Sequence, residues 1–183
     1  MNRLERWLEK EAIGIEVVKP IIFCAVAYFL YTLSIFFILV LIFGMPERSP
    51  RENYSEDIVR LPILVWDFPL MLLYLAAIEE FLFRVILLYL VMLVSRMVLG
   101  KRDFGYVLFA IVWSSIYFGY IHGGIIHIFI QGVVGVLFCL VFLKCGGYQG
   151  KIAKAFCCST ICHALVNVLI AYWGLFFWGD KYF

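Results

Sequence analysis

The segment Ala76-Ala-Ile-Glu-Glu-Phe-Leu-Phe-Arg-Val-Ile-Leu-Leu-Tyr89 places two carboxylates and a guanidinium inside an apolar run long enough to cross a bilayer. A charged side chain at membrane depth costs at least ~2.5 kcal/mol and usually marks a functional site. Glu80 and Arg84 are four residues apart, so they share a helix face and can pair. Glu79 points about 100° away from Glu80 and needs another partner. The candidate partners elsewhere in the chain are His122, His163 and Asn167.

The composition assigns the chain to membrane proteins. Of its 183 residues, 65% are hydrophobic and 19% are aromatic, whereas a soluble domain is about half apolar. The sequence therefore predicts an all-α fold, a polytopic transmembrane helical bundle in contact with the lipid bilayer. The net charge of +2 is small and divided among loops, which argues against a nucleic-acid partner.

The order of apolar and polar stretches predicts about five spans and an N-terminal amphipathic helix. Residues 1–19 alternate charges with apolar side chains at helical spacing, which favours a helix on the membrane surface. We expect residues 20–68 to hold the first span and a polar loop, and residues 69–183 to form a catalytic membrane domain. Residues 61–68 are interpreted as a re-entrant or interfacial approach, although a sixth span there stays open. The predicted spans are 20–43, 69–98, 104–121, 125–143 and 152–178.

The positive charges predict how the chain is oriented in the membrane, and the cysteine spacing indicates the role of the thiols. Five spans place ten Lys and Arg side chains on the side of the N-terminus and four on the opposite side. The positive-inside rule then predicts a cytoplasmic N-terminus in a cell membrane, with the polar site reached from outside. The six cysteines form no CxxC pair and are interpreted as small apolar packing residues.

The polar side chains within the spans favour hydrolysis without a cofactor. A carboxylate in an apolar setting can take a proton from water, and a histidine can orient that water. A second histidine and a carboxamide can donate hydrogen bonds to the oxyanion that forms. There is no GxSxG sequence, so no serine stands in the context of a nucleophile.

Three motifs occur in order on apolar segments: Glu79-Glu-Phe-Leu-Phe-Arg84 as EExxxR, Phe118-Gly-Tyr-Ile-His122 as FxxxH, and His163-Ala-Leu-Val-Asn167 as HxxxN. Together they resemble the CAAX protease and bacteriocin-processing (Abi) family of intramembrane glutamic endopeptidases. The resemblance covers about residues 70–172. The family is also similar in fold to a gamma-secretase subunit that is not itself a protease.

The resemblance implies a role for each motif position. It implies that Glu79 is the general base that activates water, supported by Glu80 and Arg84, and that His122 positions the water. The oxyanion site would be His163 with Asn167, and Phe118 would form a wall of the substrate-binding site. The implied substrate is a membrane-anchored protein or peptide precursor. The chain is shorter than eukaryotic CAAX endopeptidases, which suggests a prokaryotic member acting on something other than prenylated CAAX proteins.

Two alternatives remain open at this stage. In the first, Glu79, His122 and His163 bind zinc in a metallopeptidase, although there is no HExxH sequence to support it. In the second, the protein is a non-catalytic membrane scaffold or a bacteriocin-immunity protein. The sequence predicts no oligomeric state.

Overall fold

The computed structural model describes residues 3–43, 67–99 and 104–182, and nearly all of them are helical. Residues 61–66 and most of the predicted polar loop lie outside these ranges, so the proposed re-entrant approach and the division into domains stay predictions. The α-helices are α1 Arg3–Glu9, α2 Val18–Phe43, α3 Asp67–Glu80, α4 Tyr89–Leu99, α5 Phe104–Ile121, α6 Ile125–His127, α7 Val133–Phe142 and α8 Ile152–Tyr182.

Wider π-helical turns join several of these helices into continuous rods. Phe81–Leu88 links α3 to α4, Ile128–Gly132 links α6 to α7, and Leu143–Gly147 continues α7. Such turns are uncommon in helices and are frequent at functional sites. The first one begins immediately after Glu80, so it follows directly on the two glutamates.

The rods agree with the predicted polytopic bundle. Among the described residues, four stretches are long and apolar enough to cross a membrane: Gly14–Ile42, Phe104–Ile121, Ile125–Gly147 and Ile152–Tyr172. The rod formed by α3 and α4 begins at Asp67, two residues before the predicted start of its span, and contains the three charges of the opening segment. The fourth apolar stretch extends to Gly147, but Gly146 has a non-helical φ of 125°, so regular helix ends close to the predicted Leu143.

The N-terminal amphipathic helix is much shorter than predicted. Only Arg3–Glu9 is α-helical, and a short 3-10 helix at Gly14–Val17 leads into α2. Gly14 has a φ of 57°, a conformation that does not continue an α-helix. Leu8 is fully buried and packs in a core cluster with Leu88 and Phe142, so α1 docks on the bundle in addition to offering a surface face.

Side chains near the turn between α7 and α8 hold the N-terminal segment by its backbone carbonyls. The Lys144 ammonium donates to the carbonyls of Trp7 and Lys10. The Gln149 amide donates to Leu8 and Glu9, and Lys154 donates to Ala12. These contacts place the N-terminus and the 144–154 connection at the same end of the bundle, as the predicted topology requires.

Glu11 makes this docking sensitive to acid. Its carboxylate lies 2.7 Å from Lys151 Nζ and 2.6 Å from Lys154 Nζ, and hydrogen bonds from both ammonium groups hold the pKa of Glu11 below its ordinary value. The stabilisation is therefore present above the unfolded pKa and is lost as the pH falls through the lowered one. Trp7 emission, taken as a difference from Trp7→Phe, should therefore change as the pH falls below the ordinary pKa of a glutamic acid. The same pH response in Glu11→Gln would contradict this.

Glycines let α5 approach the helices that follow it. A Cβ at Gly119 would lie 2.6 Å from the His127 carbonyl oxygen, and one at Gly135 would lie 3.2 Å from Ser115 Cα. Gly135 thus serves close helix packing. A tight turn follows His122, where Gly123 and Gly124 have φ of 152° and 86°.

The cysteines behave largely as predicted. Five of the six are buried and only Cys157 is exposed, and all six are free thiols. Cys24, Cys145, Cys158 and Cys162 belong to one apolar cluster where α2, α7 and α8 meet.

Candidate active site

Two imidazoles from other parts of the bundle meet at the Glu79 carboxylate. The Glu79 Oε2 atom lies 3.6 Å from His122 Nε2 and 3.6 Å from His163 Nε2. Glu79 is near the end of α3, His122 directly follows α5, and His163 is in α8. The sequence named these two histidines as candidate partners, and the structure brings both of them to the carboxylate.

The site lies inside the bundle but keeps an opening. Glu79 is twelve residues from the start of α3, hence ~18 Å along the helix axis. Its side chain is 30% exposed and that of His122 is 26% exposed, against 5% for His163. Since His122 follows the far end of α5, this opening faces the end of the bundle opposite to the docked N-terminus.

Behind His163 lies a fully buried ion pair. His163 Nδ1 is 3.0 Å from Glu80 Oε1, and Arg84 Nε is 3.3 Å from Glu80 Oε2. Arg84 Nη2 also donates to the Gly135 carbonyl oxygen at 3.1 Å. The side chains of Glu80 and Arg84 have no exposed surface. Glu80 thus contacts His163 directly, which the sequence did not predict, and it pairs with Arg84 as the four-residue spacing predicted.

The hydrogen bonds to the two imidazoles fix which nitrogen carries a proton. His122 Nδ1 lies 2.7 Å from the Phe118 carbonyl oxygen, which can only accept, so Nδ1 donates. The Glu80 carboxylate imposes the same choice on His163. Both Nε2 atoms therefore face Glu79, whose Oε2 has no hydrogen-bond partner among the described residues. This unsatisfied oxygen is itself buried between the two ring nitrogens, and a water molecule that entered with substrate would complete its hydrogen bonding.

Aromatic rings enclose the charged groups. Phe118 is 3% exposed, and its ring centroid lies 4.4 Å from that of His122 and 5.9 Å from that of His163. The Arg84 guanidinium lies 5.0 Å from the Phe118 centroid, a cation–π contact that partly replaces lost hydration. Phe118 therefore packs against the two imidazoles and the guanidinium, and its role as a wall of the substrate-binding site stays a prediction.

A comparison with protein families decides the assignment. The family model described as "Type II CAAX prenyl endopeptidase Rce1-like" matches residues 61–169, which is more than half of the chain. The chain belongs to this Rce1-like family. It is thus a multi-pass membrane protein of a protease family, in agreement with the resemblance seen in the three motifs.

The Rce1-like match contains every predicted site residue and leaves out α1 and α2. Comparisons with curated proteins and with solved structures gave no match. The roles of individual side chains in this Rce1-like chain therefore have to be argued from its own geometry.

Asn167 is the predicted site residue that the structure leaves outside the network. It lies one turn after His163 on α8 and is half-buried. Its side chain makes no hydrogen bond to the other residues that the structure describes. Its position on the His163 face is compatible with a contact to substrate, and its oxyanion role in this Rce1-like site stays a prediction.

The sequence analysis missed one ring of the site. Phe138, in α7, stacks on His163 with ring centroids 4.3 Å apart and an angle of 26° between the planes. It lies in an uninterrupted apolar run and in none of the three motifs, so nothing in the sequence distinguishes it from its neighbours.

The donor set around Glu79 was also considered as a metal site. Within residues 3–43, 67–99 and 104–182, no group of three or more His, Cys, Asp and Glu side chains has the arrangement needed to hold a metal ion. The zinc alternative therefore gains no support from the geometry, and chelation remains its direct test.

Proposed function

We propose that this Rce1-like protein is an intramembrane endopeptidase of the glutamic type, which hydrolyses a peptide bond in a membrane-anchored protein or peptide precursor. One observation carries the proposal: a partly exposed carboxylate inside the helical bundle has two imidazole nitrogens 3.6 Å from the same oxygen. A separation of this size is too long for a direct hydrogen bond, and in the proposed mechanism a water molecule connects the groups.

Glu79 would act first as the general base. A water molecule near Oε2 donates one hydrogen to Glu79 and the other to His122 Nε2, whose lone pair is free because Nδ1–H donates to Phe118. The water oxygen attacks the carbonyl carbon of the scissile bond while its proton passes to Glu79. The product of this step is a tetrahedral oxyanion.

The oxyanion needs a hydrogen-bond donor, and His163 Nε2 can supply one only as an imidazolium. Two carboxylates support that charged form, since Glu80 accepts from Nδ1 and Glu79 lies near Nε2. With His163 charged, the two glutamates, Arg84 and the imidazolium sum to zero, so the buried site carries no net charge. The Asn167 amide would be a second donor once substrate is bound.

Collapse of the tetrahedral intermediate completes the reaction. The proton held by Glu79 passes to the leaving nitrogen, the carbon–nitrogen bond breaks, and the products are a carboxylic acid and an amine. The protein returns to its starting protonation state. One water molecule is consumed per bond cleaved, and the mechanism requires no cofactor.

The direct test is cleavage by the purified protein in lipid nanodiscs. The probes are a farnesylated peptide with a C-terminal CAAX sequence and a library of peptides on a transmembrane anchor. We expect one internal cut, one ¹⁸O atom in the new carboxylate when the water is labelled, and no effect of a zinc chelator. Loss on chelation with recovery on adding zinc would favour the metallopeptidase. A folded protein that cuts neither probe would favour the non-catalytic alternative.

A further inference from the structure

His163 is held at one ring edge by Glu80 and on one ring face by Phe138. The phenyl ring of Phe138 has no exposed surface and lies nearly parallel to the imidazole, at 4.3 Å between centroids. Phe118 approaches the same imidazole edge-on, at 73° and 5.9 Å. Three contacts from three directions therefore define the plane of this ring.

The hydrogen bond to Glu80 cannot define that plane alone. It anchors Nδ1, but the imidazole can still pivot about that atom through coupled changes of its two side-chain torsions. A flat ring packed in parallel blocks this rotation, because any tilt would drive one imidazole edge into the phenyl carbons. The direction of Nε2, and with it the 3.6 Å separation from Glu79, thus depends on Phe138 as well as Glu80.

We propose that Phe138 is a positioning residue for the hydrolysis, which holds the His163 imidazole with Nε2 directed at Glu79 and the scissile carbonyl. The proposal rests on the proposed function. Phe138 has no exposed surface, so it would act through the side chains it packs against, chiefly His163. Its ring centroid is also 5.6 Å from the Arg84 guanidinium, which places it beside the buried ion pair that supports the same imidazole.

Replacing Phe138 by methionine tests the orientation of the His163 imidazole while keeping the core packed. Methionine nearly conserves the apolar volume but offers no flat face, so the core stays filled while the imidazole gains freedom to turn. We expect kcat to fall about tenfold to a hundredfold, because small misplacements of reacting groups cost rates of this size. KM should stay within about twofold, since substrate binding elsewhere is unchanged.

Phe142 provides the matched control. It lies one turn further along α7, towards the docked N-terminus, is equally buried, and packs in the cluster of Leu8 and Leu88. Phe142→Met should cost comparable stability and leave kcat unchanged. An equal loss of kcat in both variants, or an unchanged kcat in Phe138→Met, would overturn the proposal. Should Phe138→Met not fold, Phe138→Leu serves as the second variant.

A spectroscopic measurement distinguishes this inference from the proposed function. A phenyl ring stacked on an imidazole shields the imidazole ring protons, so the His163 signal of histidine-labelled protein should move downfield in Phe138→Met. The His122 signal should move much less. An unmoved His163 signal overturns the positioning role even if the protein is an active protease, whereas loss of the protease assignment through Glu79 leaves this shift in place.

Discussion

Glu79→Gln should lower the cleavage rate by at least about a thousandfold, within the range expected when a general base is removed. The amide keeps the size and shape of the carboxylate, but it cannot take a proton from water. Because the side chain is 30% exposed and its Oε2 has no hydrogen-bond partner among the described residues, the substitution leaves no new buried group unsatisfied. Stability should therefore change little, and kcat should fall far more than KM rises.

Two further variants sharpen this result. Glu79→Asp keeps a base but draws it away from both imidazoles, so its rate should fall between those of the parent and Glu79→Gln. Glu9→Gln alters an exposed glutamate at the opposite end of the bundle and should leave cleavage unchanged. More than a tenth of the parental rate in folded Glu79→Gln would be incompatible with the proposed base.

Arg84→Met should destabilise the bundle by about 3–5 kcal/mol, because it leaves the Glu80 carboxylate buried without its cationic partner. Both side chains have no exposed surface, so solvent cannot screen the remaining charge. The cation–π contacts of the guanidinium with Phe118 and Phe138 are lost as well. Unfolding in a mixed-micelle titration or by heat measures the effect.

The double variant Glu80→Gln/Arg84→Met tests whether the unpaired Glu80 charge causes the loss of stability. It removes both charges, and the amide oxygen of the substituted side chain can still accept a hydrogen bond from His163 Nδ1. We expect it to regain most of the lost stability, because a neutral replacement of a buried ion pair is often tolerated. Arg6→Met, at an exposed position in α1, should leave the stability unchanged. A loss below about 1 kcal/mol in the single variant would show that the pair is not a buried structural charge pair.

Much of the fold could be predicted from the sequence because it depends on local properties. An apolar run of membrane-spanning length forms a helix irrespective of its neighbours, since lipid offers the backbone no other hydrogen-bond partners. The predictions erred where local geometry departs from the α-helix. Gly14, whose φ of 57° does not continue an α-helix, begins the short 3-10 helix that follows the early end of the N-terminal helix.

Most members of the candidate site and the Glu80–Arg84 pair could be predicted from the sequence, whereas the contact between Glu80 and His163 could not. Charged and polar residues at membrane depth stand out against an apolar background, which identified the glutamates, Arg84 and the histidines. That Glu80 bonds to His163 while Glu79 faces both imidazoles depends on how α3 and α8 are rotated against each other. Phe138 illustrates the same limit, because the sequence of an apolar run does not indicate which side chain an aromatic residue in it will contact.

The sequence by itself determined that this protein is a helical membrane bundle, and that one segment places a glutamate pair and an arginine inside it. These follow from hydrophobic length and from the four-residue spacing along a single helix, both properties of contiguous residues. The tertiary structure alone decided that Glu79 meets two imidazoles at equal distance, and that Glu80 and Phe138 hold one of them in place. Such contacts join residues as many as 84 positions apart, so they exist only once the helices have packed.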